Sequence, residues 1–235
     1  MTETNVPPSL LNHVRANLHP VRPLASPLRR TLALVPLAIL LFFGPPSYYH
    51  WRENLAQLPG WVSWGMSALE SLGGCALMGL ALHQAVPGMT VRPQRMLLAL
   101  AAGVLLFTCV SLFTANVLPT PLHNPNSWTR LAWECVIDEL LFAIPSLAIS
   151  AWLVARALPM RPSLTGAAYG LAVGLMTDAG LRLFCWIDDP LHVFAGHGGA
   201  VLTGTVGGAL TATLIERAKY RRLRRLRDPD ISISA

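Results

Sequence analysis

Six long apolar stretches constrain this chain more than anything else in it. They run over Leu28–Pro45, Trp61–Val86, Met96–Val117, Leu131–Ala157, Ser163–Ile187 and Leu191–Ala218. A helix needs about 20 mostly apolar residues to cross a hydrocarbon core of about 30 Å. Lipid offers no partner to a backbone N–H or C=O, so such stretches must be helical. The composition leaves no alternative location for them. Only 13% of the 235 residues are charged and 53% are hydrophobic, against about 25% charged in a soluble domain. The expectation is an all-α polytopic membrane protein with six transmembrane helices. Four cysteines and no Cys-x-x-Cys pair exclude a disulfide scaffold and a thioredoxin-like redox motif.

Breakers separate the spans: Gly44-Pro45-Pro46, Pro87-Gly88, Pro119 to Pro125, Pro159 to Pro162, and Pro190. Pro36 lies in the first span and Pro145 in the fourth, where a kink is expected. Basic residues set the orientation. Arg15, Arg22, Arg29, Arg30, Arg92, Arg95, Arg156 and Arg161 fall on one side, with Arg217, Lys219, Arg221, Arg222, Arg224, Arg225 and Arg227. That is fifteen of the eighteen, leaving Arg52, Arg130 and Arg182 for the other side. Both termini are therefore expected in the cytoplasm. The net charge of +6 reads as orientation and attraction to anionic lipid rather than nucleic-acid affinity, because the basic tail abuts a span.

Three regions result: a cytoplasmic segment 1–27, a six-helix bundle over 28–218, and a basic tail over 219–235. In the first, Leu10, Val14 and Leu18 share one face of a short amphipathic helix, able to enter a partner's groove or to lie on the membrane. None of the extramembrane parts is large enough to carry an active site, so no enzymatic activity is expected.

Ionisable groups within spans are costly and mark function. Glu70 and His83 stand in the first three spans, whereas the last three are richer. Asp178 and Arg182 are four residues apart on one helix face and are expected to neutralise each other inside the bundle. With the orientation above, Glu134, Cys135, Asp138, Cys185, Asp188, Asp189, His192 and His197 converge on one outer rim. Cys135 and Cys185 could pair as a disulfide there. They could equally bind a soft or borderline metal such as copper or zinc with His192 or His197. The alternative is two unrelated buried cysteines and two helix-interior histidines, and the five-residue histidine spacing does not decide between them. Two stripes of small residues, Gly166/Gly170/Gly174 and Ala200/Gly204/Gly208, read as packing surfaces.

Several of these segments resemble the NrsF family of six-span inner-membrane anti-sigma factors. The resemblance is carried by Leu18-His19-Pro20-Val21-Arg22-Pro23-Leu24 and Pro27-Leu28-Arg29-Arg30. In the second half it is carried by Trp133-Glu134-Cys135, the span holding Pro145, Arg156-Ala157-Leu158-Pro159, the Gly166/Gly170/Gly174 stripe and Leu183-Phe184-Cys185. It implies a bacterial inner-membrane protein that sequesters an extracytoplasmic-function sigma factor, with Cys135 and Cys185 sensing metal or oxidative stress. The light-responsive myxobacterial anti-sigma factor CarR is similar in size and role, which adds light-generated singlet oxygen as a stimulus. The run from Asp188 to His197 is richer in acid and histidine than the family's usual entrance to the last span, favouring a metal. The resemblance also favours Leu10, Val14 and Leu18 as sigma-factor anchors. The competing expectation is a small metal or solute transporter using the same rim as its substrate site.

Overall fold

Proline marks where the helices begin. Pro27, Pro93, Pro125, Pro162 and Pro190 each stand at a helix start, where a missing N–H costs nothing and the fixed φ already suits the helix. The computed structural model describes residues 25–53, 55–89, 91–117, 125–157 and 159–227, together with Ser9, Asn12 and Ala16. Side chains of 125–131 and 225–227 are not described. The proposed anchors Leu10, Val14 and Leu18 lie outside the described residues.

The helices are α1 (Pro27–Leu32), α2 (Val35–Tyr48), α3 (Met66–Gln84), α4 (Pro93–Val117), α5 (Pro125–Ala155), α6 (Pro162–Leu181), α7 (Pro190–His192) and α8 (Gly198–Arg227). A π-helical turn, Trp61–Gly65, leads into α3, and another, Val193–His197, joins α7 to α8. No strand occurs among the described residues. Pro36 cannot donate to the Leu32 carbonyl, and the first span accordingly breaks at Ala33–Leu34 before resuming as α2. Pro145 lies inside α5, which continues through it to Ala155.

Five helical segments are long and apolar enough to cross a membrane: Pro27–Tyr48, Trp61–Gln84, Pro93–Val117, Ala132–Ala155 and Pro190–Arg224. Their outward faces are apolar, with Leu98, Leu105, Ile144, Leu202 and Leu210 exposed. The remaining expected span, the fifth in chain order, is α6, and it is different. Its 20 residues extend about 30 Å at 1.5 Å each, yet glycines and Asp178 lower its hydropathy. The reason is position: α6 is the central helix, packed against α2, α3, α4, α5 and α8, and every residue from Ala168 to Leu181 is buried. A helix surrounded by helices is selected for close approach rather than for greasiness. The two small-residue stripes face each other, and a Cβ on Gly166 would strike the Gly208 carbonyl while one on Gly170 would strike that of Gly204. Tyr169 lies against the same seam and donates its hydroxyl to the Gly208 carbonyl at 2.9 Å.

The fifth span is shorter than the hydropathy pattern suggests. α6 stops at Leu181, residues 182–184 turn, and 185–189 are irregular. Pro190 disfavours helical geometry at Asp189, which instead caps α7 by accepting from the backbone N–H groups of Leu191 (2.9 Å) and His192 (3.2 Å). Arg52 secures the unwound segment from outside. Its backbone N–H donates to the Leu183 carbonyl at 3.0 Å, and its guanidinium donates to the Cys185 carbonyl and to both oxygens of Asp188. Burial pushes the Asp188 carboxyl up from its ordinary pKa, and the Arg52 guanidinium opposes that.

Candidate functional site

Where α6 unwinds and α8 begins, four side chains from separate chain elements meet. Cys135 comes from α5, Cys185 from the irregular segment, His192 from α7 and His197 from the π-helical turn. All four are buried. The two Sγ atoms are 3.9 Å apart, and His192 Nε2 lies 3.4 Å from the Cys135 sulfur and 3.5 Å from that of Cys185. One donor atom from each of the four lies within 4.8 Å of all the others. Both cysteines are free thiols. Leu181, Phe184 and Ile187 pack around the sulfurs.

The histidines reach one site because of the π turn. In an α-helix residues five apart point about 140° away from each other. A π turn closes its hydrogen bond at i→i+5, seen here between the Gly198 N–H and the Val193 carbonyl. The wider turn brings His192 and His197 to the same side, with ring centroids 5.6 Å apart.

Directly beneath lies a buried ionic network. Asp178 Oδ1 is 2.6 Å from His197 Nδ1, and its Oδ2 accepts from Arg182 Nε at 2.9 Å. The same Nε donates to Glu70 Oε2 of α3 at 2.8 Å. Arg182 also donates to Ser111 Oγ at 2.7 Å and to Thr114 Oγ1 at 3.4 Å, both on α4. Asp178 and Arg182 thus meet, as their spacing suggests, but within a six-residue cluster rather than as an isolated pair. Glu139 is fully buried beside Asp178 and His197, and neither of its oxygens has a hydrogen-bond partner among the described residues.

The other rim residues separate. Glu134 is exposed. Asp138 accepts from the Tyr49 hydroxyl at 2.6 Å, and burial together with that carboxylate pushes the phenol pKa up. Asp188 belongs to Arg52, and Asp189 to the α7 cap. Sequence reasoning missed Glu70 as the second partner of Arg182, and missed Ser111, Thr114 and Arg52. The one available signal was that Glu70, near the start of its span, and Arg182, near the end of its own, are both ionisable and expected toward the same face of the membrane.

What this arrangement can do chemically follows from its donors. Two thiols and two imidazoles, closed off from water, form a set suited to a thiophilic ion. The fit has an independent mark: His197 Nε2 is buried without a hydrogen-bond partner among the described residues, while its Nδ1 is occupied by Asp178.

Comparison with curated proteins gives no match, and neither does comparison with solved structures. A family profile described as negative regulator of sigma F (NrsF) matches residues 15–217, which includes every residue of the rim and of the ionic network. The chain belongs to the NrsF family of negative regulators of sigma factor.

Proposed function

We propose that this protein is a bacterial inner-membrane anti-sigma factor. It crosses the membrane six times, α6 being the central span, and keeps both termini in the cytoplasm. There it holds an extracytoplasmic-function sigma factor, with the segment containing Leu10, Val14 and Leu18 as the docking element. Release follows when the Cys135/Cys185/His192/His197 centre takes up a metal ion from the envelope side. Family membership supports the regulatory half of this reading, and fifteen of eighteen basic residues on one side support the orientation.

The observation that carries the sensing half is the spacing of the donors. Tetrahedral zinc, with bonds of about 2.3 Å to sulfur and 2.0–2.1 Å to nitrogen, requires edges of about 3.8 Å between sulfurs and about 3.6 Å from sulfur to nitrogen. The distances are 3.9 Å, and 3.4 and 3.5 Å. Cys135, Cys185, His192 and His197 would hold the ion, which would tie α5, the irregular segment after α6, α7 and the π turn to one another. Two thiolates and two neutral imidazoles also suit copper(I) or cadmium, so the class is a thiophilic ion able to accept four ligands.

The test uses a sigma-dependent reporter in cells carrying the full chain and its cognate sigma factor. Added zinc, copper or cadmium should raise reporter output with the wild type, and Cys135→Ser with Cys185→Ser should abolish the response while repression persists. A normal response of the double variant to every metal would overturn the sensing assignment. Retained sigma capture after deletion of residues 1–27 would overturn the docking assignment.

A further inference from the structure

Within the metal-centre reading, on which this inference rests, we propose that Asp178 is its positioning residue. It fixes His197 as an Nε2 ligand, and through Arg182 it ties the centre to α3 and α4.

Three observations carry this. First, Asp178 is divided between two tasks: Oδ1 faces His197 Nδ1 at 2.6 Å and Oδ2 faces Arg182 Nε at 2.9 Å. Imidazole can present one nitrogen to a metal only if that nitrogen carries no proton. A carboxylate at Nδ1 keeps the proton there and leaves Nε2 as the lone-pair donor. Second, Nε2 is the nitrogen that is buried without a partner among the described residues, and it belongs to the side chain that approaches the thiols. Third, Asp178 cannot turn away without cost. It is fully buried, on the most enclosed helix of the bundle, and Arg182 holds its second oxygen.

Arg182 in turn is held from three directions, by Glu70 of α3, by Ser111 and Thr114 of α4, and by Asp178 of α6. The carboxylate is therefore stationary before any ion arrives, and the ring plane of His197 is set by the packing of three helices. Carboxylates that orient metal-bound histidines typically carry about 10–100-fold in metal affinity. The same chain of contacts makes affinity depend on Glu70, which touches none of the four donor residues' sulfur or ring atoms by hydrogen bond among the described residues.

The experiment is a Co2+ titration of the full-length chain in lipid nanodiscs, read by the near-ultraviolet sulfur-to-cobalt band and the visible ligand-field bands. Wild type should bind with both signatures, and Cys135→Ser with Cys185→Ser should lose the sulfur band. Asp178→Asn and Asp178→Ala should weaken Co2+ binding about 10–100-fold with band positions kept, and Asp178→Glu should recover part of the loss. Glu70→Gln should weaken it less. Unchanged affinity in both Asp178 variants, with the cysteine variant dead, would overturn the positioning role and leave the metal centre standing. Absence of any sulfur-to-cobalt band in the wild type would instead sink the metal reading itself. A measurement on the wild type covers failure of the variants to fold. With histidine nitrogens labelled and 113Cd2+ bound, the cadmium coupling of His197 should appear at Nε2 with a proton retained on Nδ1. Coupling at Nδ1 would overturn the proposal.

Discussion

His192 and His197 stand five residues apart and still turn their rings toward one point, at a centroid separation of 5.6 Å. The π turn between them makes that possible, so the turn is part of the site. Inserting one alanine after Ala195, an exposed residue of the turn, should set the two histidines about 100° further apart about the helix axis. Metal affinity should collapse to that of a three-donor site, while the circular dichroism of the bundle is kept. Deleting Ala195 instead leaves the histidines four apart on one face of an α-helix and should keep most of the affinity. Co2+ titration of the two variants checks this, and undiminished binding by the insertion variant would mean that the register of the turn is irrelevant to the centre.

The thiols offer a second outcome. At 3.9 Å the two sulfurs are too far apart for a bond, but closing to the roughly 2.05 Å of a disulfide needs only a small shift of one side chain. An oxidant such as diamide should link Cys135 to Cys185 in the metal-free chain. Bound zinc should protect both, because a coordinated thiolate must first be released. Thiol labelling followed by mass spectrometry reads the two states. Equal oxidation with and without zinc would separate the cysteines from the metal.

Much of this was legible in the sequence, and for identifiable reasons. Span length and the placement of arginines put Cys135, Cys185, His192 and His197 at one end, because helix direction alternates, although α2 runs through the expected breaker Gly44-Pro45-Pro46 to Tyr48. What stayed hidden depends on neighbours. Asp178 and Arg182 declare each other by i,i+4 spacing, but Glu70 lies 112 residues from Arg182 and nothing local links them. Beyond Leu181 the chain is held by Arg52, which seizes the Leu183, Cys185 and Asp188 groups, a tertiary contact that hydropathy does not contain. The π turn has no compositional signature at all. The low hydropathy of α6 is informative only once its central position is known: the glycines that dilute it are those that meet the α8 backbone.

That seam gives a stability prediction. Gly170→Val would push a branched side chain into the Gly204 carbonyl and the Thr205 backbone. Overpacking of this kind costs about 1–3 kcal/mol, occasionally more, and here the obstacle is backbone, which cannot swing aside. Gly207, whose added Cβ would meet nothing within 4 Å, provides the control. Unfolding in mixed micelles should show a clear loss for Gly170→Val and little change for Gly207→Ala. Equal stability of the two would mean that α6 and α8 are not held by this contact.

The last prediction concerns the price of a buried charge. Arg182 is held by two fully buried carboxylates, Glu70 and Asp178. Arg182→Met removes the only cation within hydrogen-bond reach of Glu70 among the described residues, and it leaves both acids buried, with Asp178 still facing His197. Breaking a buried pair in this way costs about 3–5 kcal/mol, whereas replacing all members by uncharged groups of similar volume is often neutral. The single variant should therefore be strongly destabilised, and Arg182→Met combined with Glu70→Gln and Asp178→Asn should recover most of the loss. Metal affinity should not recover with it, because the triple variant still lacks the carboxylate at His197 Nδ1. Unfolding free energies and Co2+ titration on the same three proteins separate the two roles: stability follows the balance of charge, and affinity follows Asp178. If affinity returned together with stability in the triple variant, the network would be a folding device only.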